Sequence, residues 1–118
     1  MLSRIARSLD GVEMRAVDQL SEGLITAATL FTFAESNAVV SARYAGGRIV
    51  LGYRIGKRTS DGIEFSYVQS DVTGRIDTGR SRCDLEVLPD RRLRLVEHFK
   101  WASREGEGVN VLEELRGA

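Results

Sequence analysis

The stretch Arg75–Ala102, RIDTGRSRCDLEVLPDRRLRLVEHFKWA, decides the fold. It reads as two strands, Arg75–Val87 and Leu93–Ala102, reversing at Pro89. A two-residue loop, Pro89-Asp90, would put Arg80, Arg82 and Asp84 on one face with Leu95, Phe99 and Trp101. A three-residue loop, Pro89-Asp90-Arg91, instead sets Gly79, Ser81, Cys83 and Leu85 opposite Trp101, Phe99, Glu97 and Leu95. Arg80, Arg82, Arg94, His98 and Lys100 then face outward. An unpaired buried charge costs several kcal/mol or more, so the three-residue loop is expected. It asks Arg91 to adopt a left-handed backbone, where glycine would be easier. Small residues facing large aromatics suit the tapering inside of a small barrel.

Working outward, turn signals recur at Glu35-Ser36-Asn37, Gly46-Gly47, Ser60-Asp61-Gly62, Asp71–Gly74, Pro89-Asp90-Arg91 and Glu105–Gly108. Between them lie runs rich in Val, Ile, Leu, Tyr and Phe, the mark of sequential hairpins. Strands are expected over Val12–Val17, Leu24–Phe33, Ala38–Tyr44, Ile49–Lys57, Ile63–Gln69, Arg75–Val87, Leu93–Ala102 and Val109–Leu115. Eight such strands with short connections close as an all-β, antiparallel, up-and-down barrel. Gly52, Gly56 and Gly79 fall inside strands, where they favour bulges and bends. A Gly46-Gly47 turn would pair Ala45 with Arg48, turning Ile49, Leu51 and Tyr53 inward with Val40, Ala42 and Tyr44. Residues 11–118 form the barrel domain, and residues 1–10 a lead that is either one helical turn or irregular.

The bulk composition narrows the function. The chain has 118 residues, 17 basic and 17 acidic, for a net charge of zero. Such a balance offers no basic stripe for nucleic acid. No apolar run reaches the ~20 residues of a membrane span, and the lead has no continuous apolar stretch of a secretory signal. One cysteine and one histidine make neither an internal disulfide nor a closed zinc site. No metal or cofactor is expected, and a reducing cytoplasm is the expected compartment.

Strand parity gathers Tyr44, Tyr53, Tyr67, Phe99 and Trp101 as an inward aromatic set, with Ser81 and Glu97 among them. Aromatics with polar tips suit a pocket for a small apolar or aromatic ligand, and equally suit a filled core. A carboxylate between Leu95 and Phe99 is expected to have a raised pKa and to serve as acid, base or ligand anchor. Its alternative is a structural hydrogen bond. Ser81 and His98 fall on opposite faces, so no Ser-His-Asp triad with Asp84 forms, and Cys83 is expected to be inert core. Glu113 and Glu114 point to opposite faces of one strand. Val39, Val50, Val68, Val96 and Leu112 are expected outside, an apolar stripe that suggests a homodimer.

From Tyr44 onward the motifs are YAGGRIVLG (Tyr44–Gly52), FSY (Phe65–Tyr67), TGRS (Thr78–Ser81), LPDRR (Leu88–Arg92), EHFKW (Glu97–Trp101) and Glu113-Glu114. This series resembles a family of small bacterial proteins often labelled N-acetylglutamate synthase, which are similar to avidin-like, calycin-type eight-stranded barrels. The resemblance covers roughly the last two thirds of the chain; Arg91 departs from it where the family turn favours glycine, and the basic lead before Asp10 is additional. It implies an avidin- or lipocalin-like barrel. It does not extend to biotin, whose sites use several tryptophans where this chain has one. The residues argue against the synthase label: an acyl-CoA site needs a glycine-rich loop opening a helix, whereas Arg43–Arg48 leads into a strand. Three functions remain: a ligand-binding barrel, a small barrel enzyme of isomerase or cyclase type using Glu97 as general acid or base, and a filled scaffold acting through its outer face.

Overall fold

The computed structural model describes residues 7–19, 24–60 and 62–115. Its strands are β1 (Glu13–Gln19), β2 (Leu30–Ser36), β3 (Val39–Gly46), β4 (Ile49–Arg58), β5 (Gly62–Asp71), β6 (Ile76–Val87), β7 (Leu93–Trp101) and β8 (Glu107–Glu114). Each pairs antiparallel with its sequence neighbour, and β1 pairs with β8 to close the barrel. This is the expected up-and-down architecture, and closure leaves no free sheet edge.

The β6–β7 hairpin has the expected register. Gly79 opposes Trp101, Ser81 opposes Phe99, Cys83 opposes Glu97 and Leu85 opposes Leu95. The three-residue loop is closed by a bond from the Leu88 amide to the Arg92 carbonyl, 2.8 Å, and Arg91 has φ 74°. Arg80 and Arg82 are exposed.

Two hairpins differ from expectation. β2 begins at Leu30, not Leu24, because Thr26–Thr29 folds on itself. The Thr29 amide donates to the Thr26 carbonyl at 2.9 Å, the Thr26 amide to Thr29 Oγ1 at 3.1 Å, and the Ala28 amide to Thr26 Oγ1 at 3.1 Å. Such side-chain bonds to the backbone compete with a ladder. The following turn is Asn37-Ala38, both with positive φ, between the paired Ser36 and Val39.

The β3–β4 turn is Gly47-Arg48, not Gly46-Gly47, and a bulge lies between Tyr44 and Gly46. Tyr44 therefore opposes Gly52, Arg43 opposes Tyr53 and Ala42 opposes Arg54. Ile49 stays in the core as expected, and from Leu51 onward the shift reverses the expected face of β4. Tyr53, expected inside, is 50% exposed on the outer face, and Arg54 is inside at 3%. Leu51 is half-buried outside the core. Leu112, expected outside, is core, since it opposes the inward Leu95. Val39, Val50 and Val68 are exposed as expected, and Val96 is half-buried.

The apolar core fills one end of the barrel, with Leu9, Met14, Phe31, Phe33, Val40, Ile63, Phe65, Leu93 and Leu95 among its members. Leu9, from the lead, is fully buried there. Its amide donates to Glu35 Oε1 at 2.8 Å, and Arg58 bridges to the same carboxylate at 2.8 Å. Residues 1–6 of the lead, whose expected form is a helical turn or irregular chain, lie outside the described residues. The opposite end is ringed by the β1–β2, β3–β4, β5–β6 and β7–β8 loops, and is called the mouth below.

Candidate functional site

The barrel centre holds an ion pair. Glu97 on β7 is 1% exposed and Arg54 on β4 is 3% exposed. Arg54 Nε donates to Glu97 Oε2 at 2.7 Å and Nη2 to Oε1 at 2.9 Å, a bidentate fork. Ser81 Oγ donates to Oε2 at 2.7 Å and Asn110 Nδ2 to Oε1 at 3.2 Å. Both carboxylate oxygens thus accept two bonds each.

Rings enclose the guanidinium. Its carbon lies 4.6 Å from the Tyr44 ring centroid and 4.4 Å from that of Tyr67, with Phe31 at 5.5 Å. Cation–π attraction is strongest where the cation is desolvated, as here. Glycines make room for these rings. A Cβ on Gly52 would stand 2.3 Å from the Tyr44 ring, and one on Gly79 would stand 2.2 Å from the Tyr67 hydroxyl. The Tyr44 hydroxyl donates to Gln69 Oε1 at 2.8 Å.

These contacts reverse one expectation. Burial alone would raise the Glu97 pKa, but the Arg54 charge and the bonds from Arg54, Ser81 and Asn110 outweigh it and hold the pKa below its ordinary value. Burial likewise opposes the Arg54 charge, and Glu97 more than restores it, so Arg54 stays protonated. Burial pushes the Tyr44 hydroxyl up to about 12 and raises Tyr67 and Cys83 as well.

Towards the mouth the lining becomes aromatic. Phe99 and Trp101 meet edge to face with centroids 5.6 Å apart, and Tyr67 and Trp101 do so at 5.8 Å. Arg104 stacks on Trp101 at 4.9 Å and bonds to the buried Asp77 carboxylate, which also accepts from Ser103 and Arg75. These donors, Arg104 first, overcome burial and keep the Asp77 pKa far below the usual carboxylate range. Leu24 and the buried Ile25 lie over this end. Beneath them is a cavity of about 10 Å³, lined also by Arg54, Tyr67, Gln69, Phe99, Trp101 and Asn110. That volume holds about one water molecule. Two buried lining atoms, Arg54 Nη1 and Asn110 Oδ1, have no hydrogen-bond partner among the described residues.

Of the expected site residues, Tyr67, Phe99 and Trp101 meet at the mouth; below it Tyr44 and Glu97 contact Arg54, and Ser81 bonds to Glu97. Tyr53 is on the other side of the sheet. Sequence reasoning missed Arg54, Gln69 and Asn110. One signal for Arg54 is present: Gly52 and Gly56 flank it at the same parity, so its neighbours on that face are side-chain-free. Outside, Ile55, Lys57, Glu64, Ser66, Arg80, Arg82 and His98 line an open groove of about 530 Å³ across β4–β7. Among the described residues, no group of three or more His, Cys, Asp or Glu could hold a metal ion.

A closed eight-stranded antiparallel barrel defines a class, the small up-and-down β-barrels. Residues 7–115 match the family described as avidin-like protein, and the chain belongs to that family. Avidin-like barrels typically bind small molecules. No curated protein and no solved structure matches the chain.

Proposed function

We propose that this chain binds a small molecule at the loop-capped mouth of its barrel, against Tyr67, Phe99 and Trp101, with polar contacts from Arg54 and Asn110. The observation that carries this reading is the pair of unpartnered buried atoms, Arg54 Nη1 and Asn110 Oδ1, beside three aromatic rings. A buried polar atom without a partner costs about 1–3 kcal/mol, which a ligand can recover. Glu97 then anchors Arg54 and not the ligand, since its oxygens are already occupied. The same occupancy, with a lowered pKa, argues against Glu97 as a general acid or base.

Entry requires Leu24 and Ile25 to lift from the mouth. Thr26–Thr29 is a self-bonded turn tied to the Gly46 carbonyl through Thr29 Oγ1 at 3.0 Å, so the two side chains can swing from a fixed anchor. Exposing a side chain such as Ile25 costs about 1.5–3 kcal/mol. Replacing it with alanine should therefore tighten a ligand by about tenfold or more. The test titrates N-phenyl-1-naphthylamine, a neutral aromatic probe, against the emission of Trp101 in the parent protein and in Ile25→Ala. Saturable quenching that is tighter in Ile25→Ala is expected. Unchanged Trp101 emission in both proteins would refute the reading.

A homodimer is favoured by a separate observation. Tyr53 opposes Val68 on the outer face, Ile55 lies two residues along β4, and all three are at least 43% exposed. Contiguous exposed apolar side chains mark interaction surfaces. The lone Cys83, buried and unpaired, suits a reducing cytoplasm.

A further inference from the structure

We propose that the mouth selects a neutral ligand carrying a carbonyl oxygen beside an N–H, an amide or lactam group, on an apolar ring. The inference rests on the mouth being the binding site and adds the chemistry of its occupant.

The two unpartnered atoms are of opposite kind. Arg54 uses Nε and Nη2 on Glu97, which leaves Nη1 as a donor without an acceptor among the described residues. Asn110 has a fixed orientation: ionised Glu97 only accepts, so the Asn110 amide nitrogen must face it. Its Oδ1 is thereby turned away as an acceptor without a donor among the described residues. The ligand group must accept from one atom and donate to the other. An amide does both, through the oxygen and the N–H borne by one carbonyl carbon. A carboxylate satisfies Arg54 but presents oxygen to oxygen at Asn110. An ammonium satisfies Asn110 but meets the Arg54 cation.

Charge points the same way. Glu97 already neutralises Arg54, and Asp77 at the mouth is compensated by Arg104 and Arg75. Among the described residues the site holds no uncompensated counter-charge, so a charged ligand would enter a low-dielectric site unpaired, which is disfavoured. The rest of the lining is Leu24, Ile25, Gln69, whose Oε1 already accepts from Tyr44, and the rings of Tyr67, Phe99 and Trp101, which suit a flat apolar ring. Displacing Leu24 and Ile25 vacates the space of two branched aliphatic side chains, comparable with one substituted six-membered ring.

The experiment follows the indole N–H signal of Trp101, the only tryptophan, by NMR while titrating five probes. They are benzamide, N,N-dimethylbenzamide, benzoate, benzyl alcohol and toluene. Benzamide should bind at least about tenfold tighter than each of the others, because a site built to pair a group rejects analogues that lack it. In Asn110→Leu, the preference for benzamide over N,N-dimethylbenzamide should fall to within about threefold, the donor's partner being gone. If that variant fails to fold, the ranking in the parent protein decides alone. Benzoate or benzyl alcohol matching benzamide would overturn the amide assignment, as would toluene doing so, and each would leave small-molecule binding at the mouth intact. No response to any probe, in the parent or in Ile25→Ala, would overturn both.

Discussion

Glu97→Gln should be among the most damaging conservative substitutions in this chain. The side chain keeps its shape but loses its charge, and Arg54 stays cationic at 3% exposure with its counter-ion gone. One glutamine oxygen can still accept, whereas the new NH₂ faces a donor from Arg54 or Ser81. Removing one partner of a buried pair costs about 3–5 kcal/mol, mostly the penalty of the charge left behind. For a domain of this size, that lowers the melting temperature by about 10–25 °C. Urea and thermal unfolding followed by circular dichroism measure it. The pH profile supplies a second readout. Because the folded Glu97 pKa lies below its ordinary value, its stabilisation is complete above the unfolded carboxylate range and disappears as pH falls through the folded value. Glu97→Gln should flatten that acid slope. The double variant Arg54→Met, Glu97→Leu should regain most of the loss, since apolar replacement of a whole buried pair is often neutral or stabilising. A loss below about 1 kcal/mol for Glu97→Gln would refute the argument, because it would mean that water reaches the pair.

Three further outcomes test other parts of the structure. Arg91→Gly should stabilise the protein by about 1 kcal/mol, seen as a higher urea midpoint at unchanged slope, because Arg91 is exposed at φ 74°. Gly79→Ala should destabilise by about 1–3 kcal/mol in the same assay, since its Cβ would crowd the Tyr67 hydroxyl and the Lys100 carbonyl. Ile55→Glu should give a monomer mass by light scattering, where the parent gives a dimer at tens of micromolar, with melting temperature unchanged. A parent that is already monomeric would remove the dimer proposal.

The sequence by itself determined the strand count, the closed antiparallel order and the β6–β7 register. The reason is local: turn residues at regular spacing end the strands, and two arginines whose burial would cost several kcal/mol leave one parity for the hairpin. The β3–β4 hairpin was not fixed in this way. The expected Gly46-Gly47 turn left Arg54 on the outer face, yet Arg54 is inside, where its counter-ion comes from β7, 43 residues away. A partner that distant leaves no local trace. The β4 parity also turned on one bulge just after Ile49, opposite Tyr44–Gly46, and a single extra residue moves every later side chain across the sheet. Glu97 was legible as an inward carboxylate in an apolar strand. Its environment was not, and the tertiary structure changed it from a free acid with a raised pKa to an ionised anchor with a lowered one. Trp101 and Phe99 were legible as inward, since the β6–β7 register fixes their face; Tyr53, assigned inward by the same parity, is outside, whereas Tyr67 joins them. That Leu24 and Ile25 cover them was decided only by the folded chain, where Thr26 and Thr29 bond to the backbone and turn an apolar run from a strand into a cap.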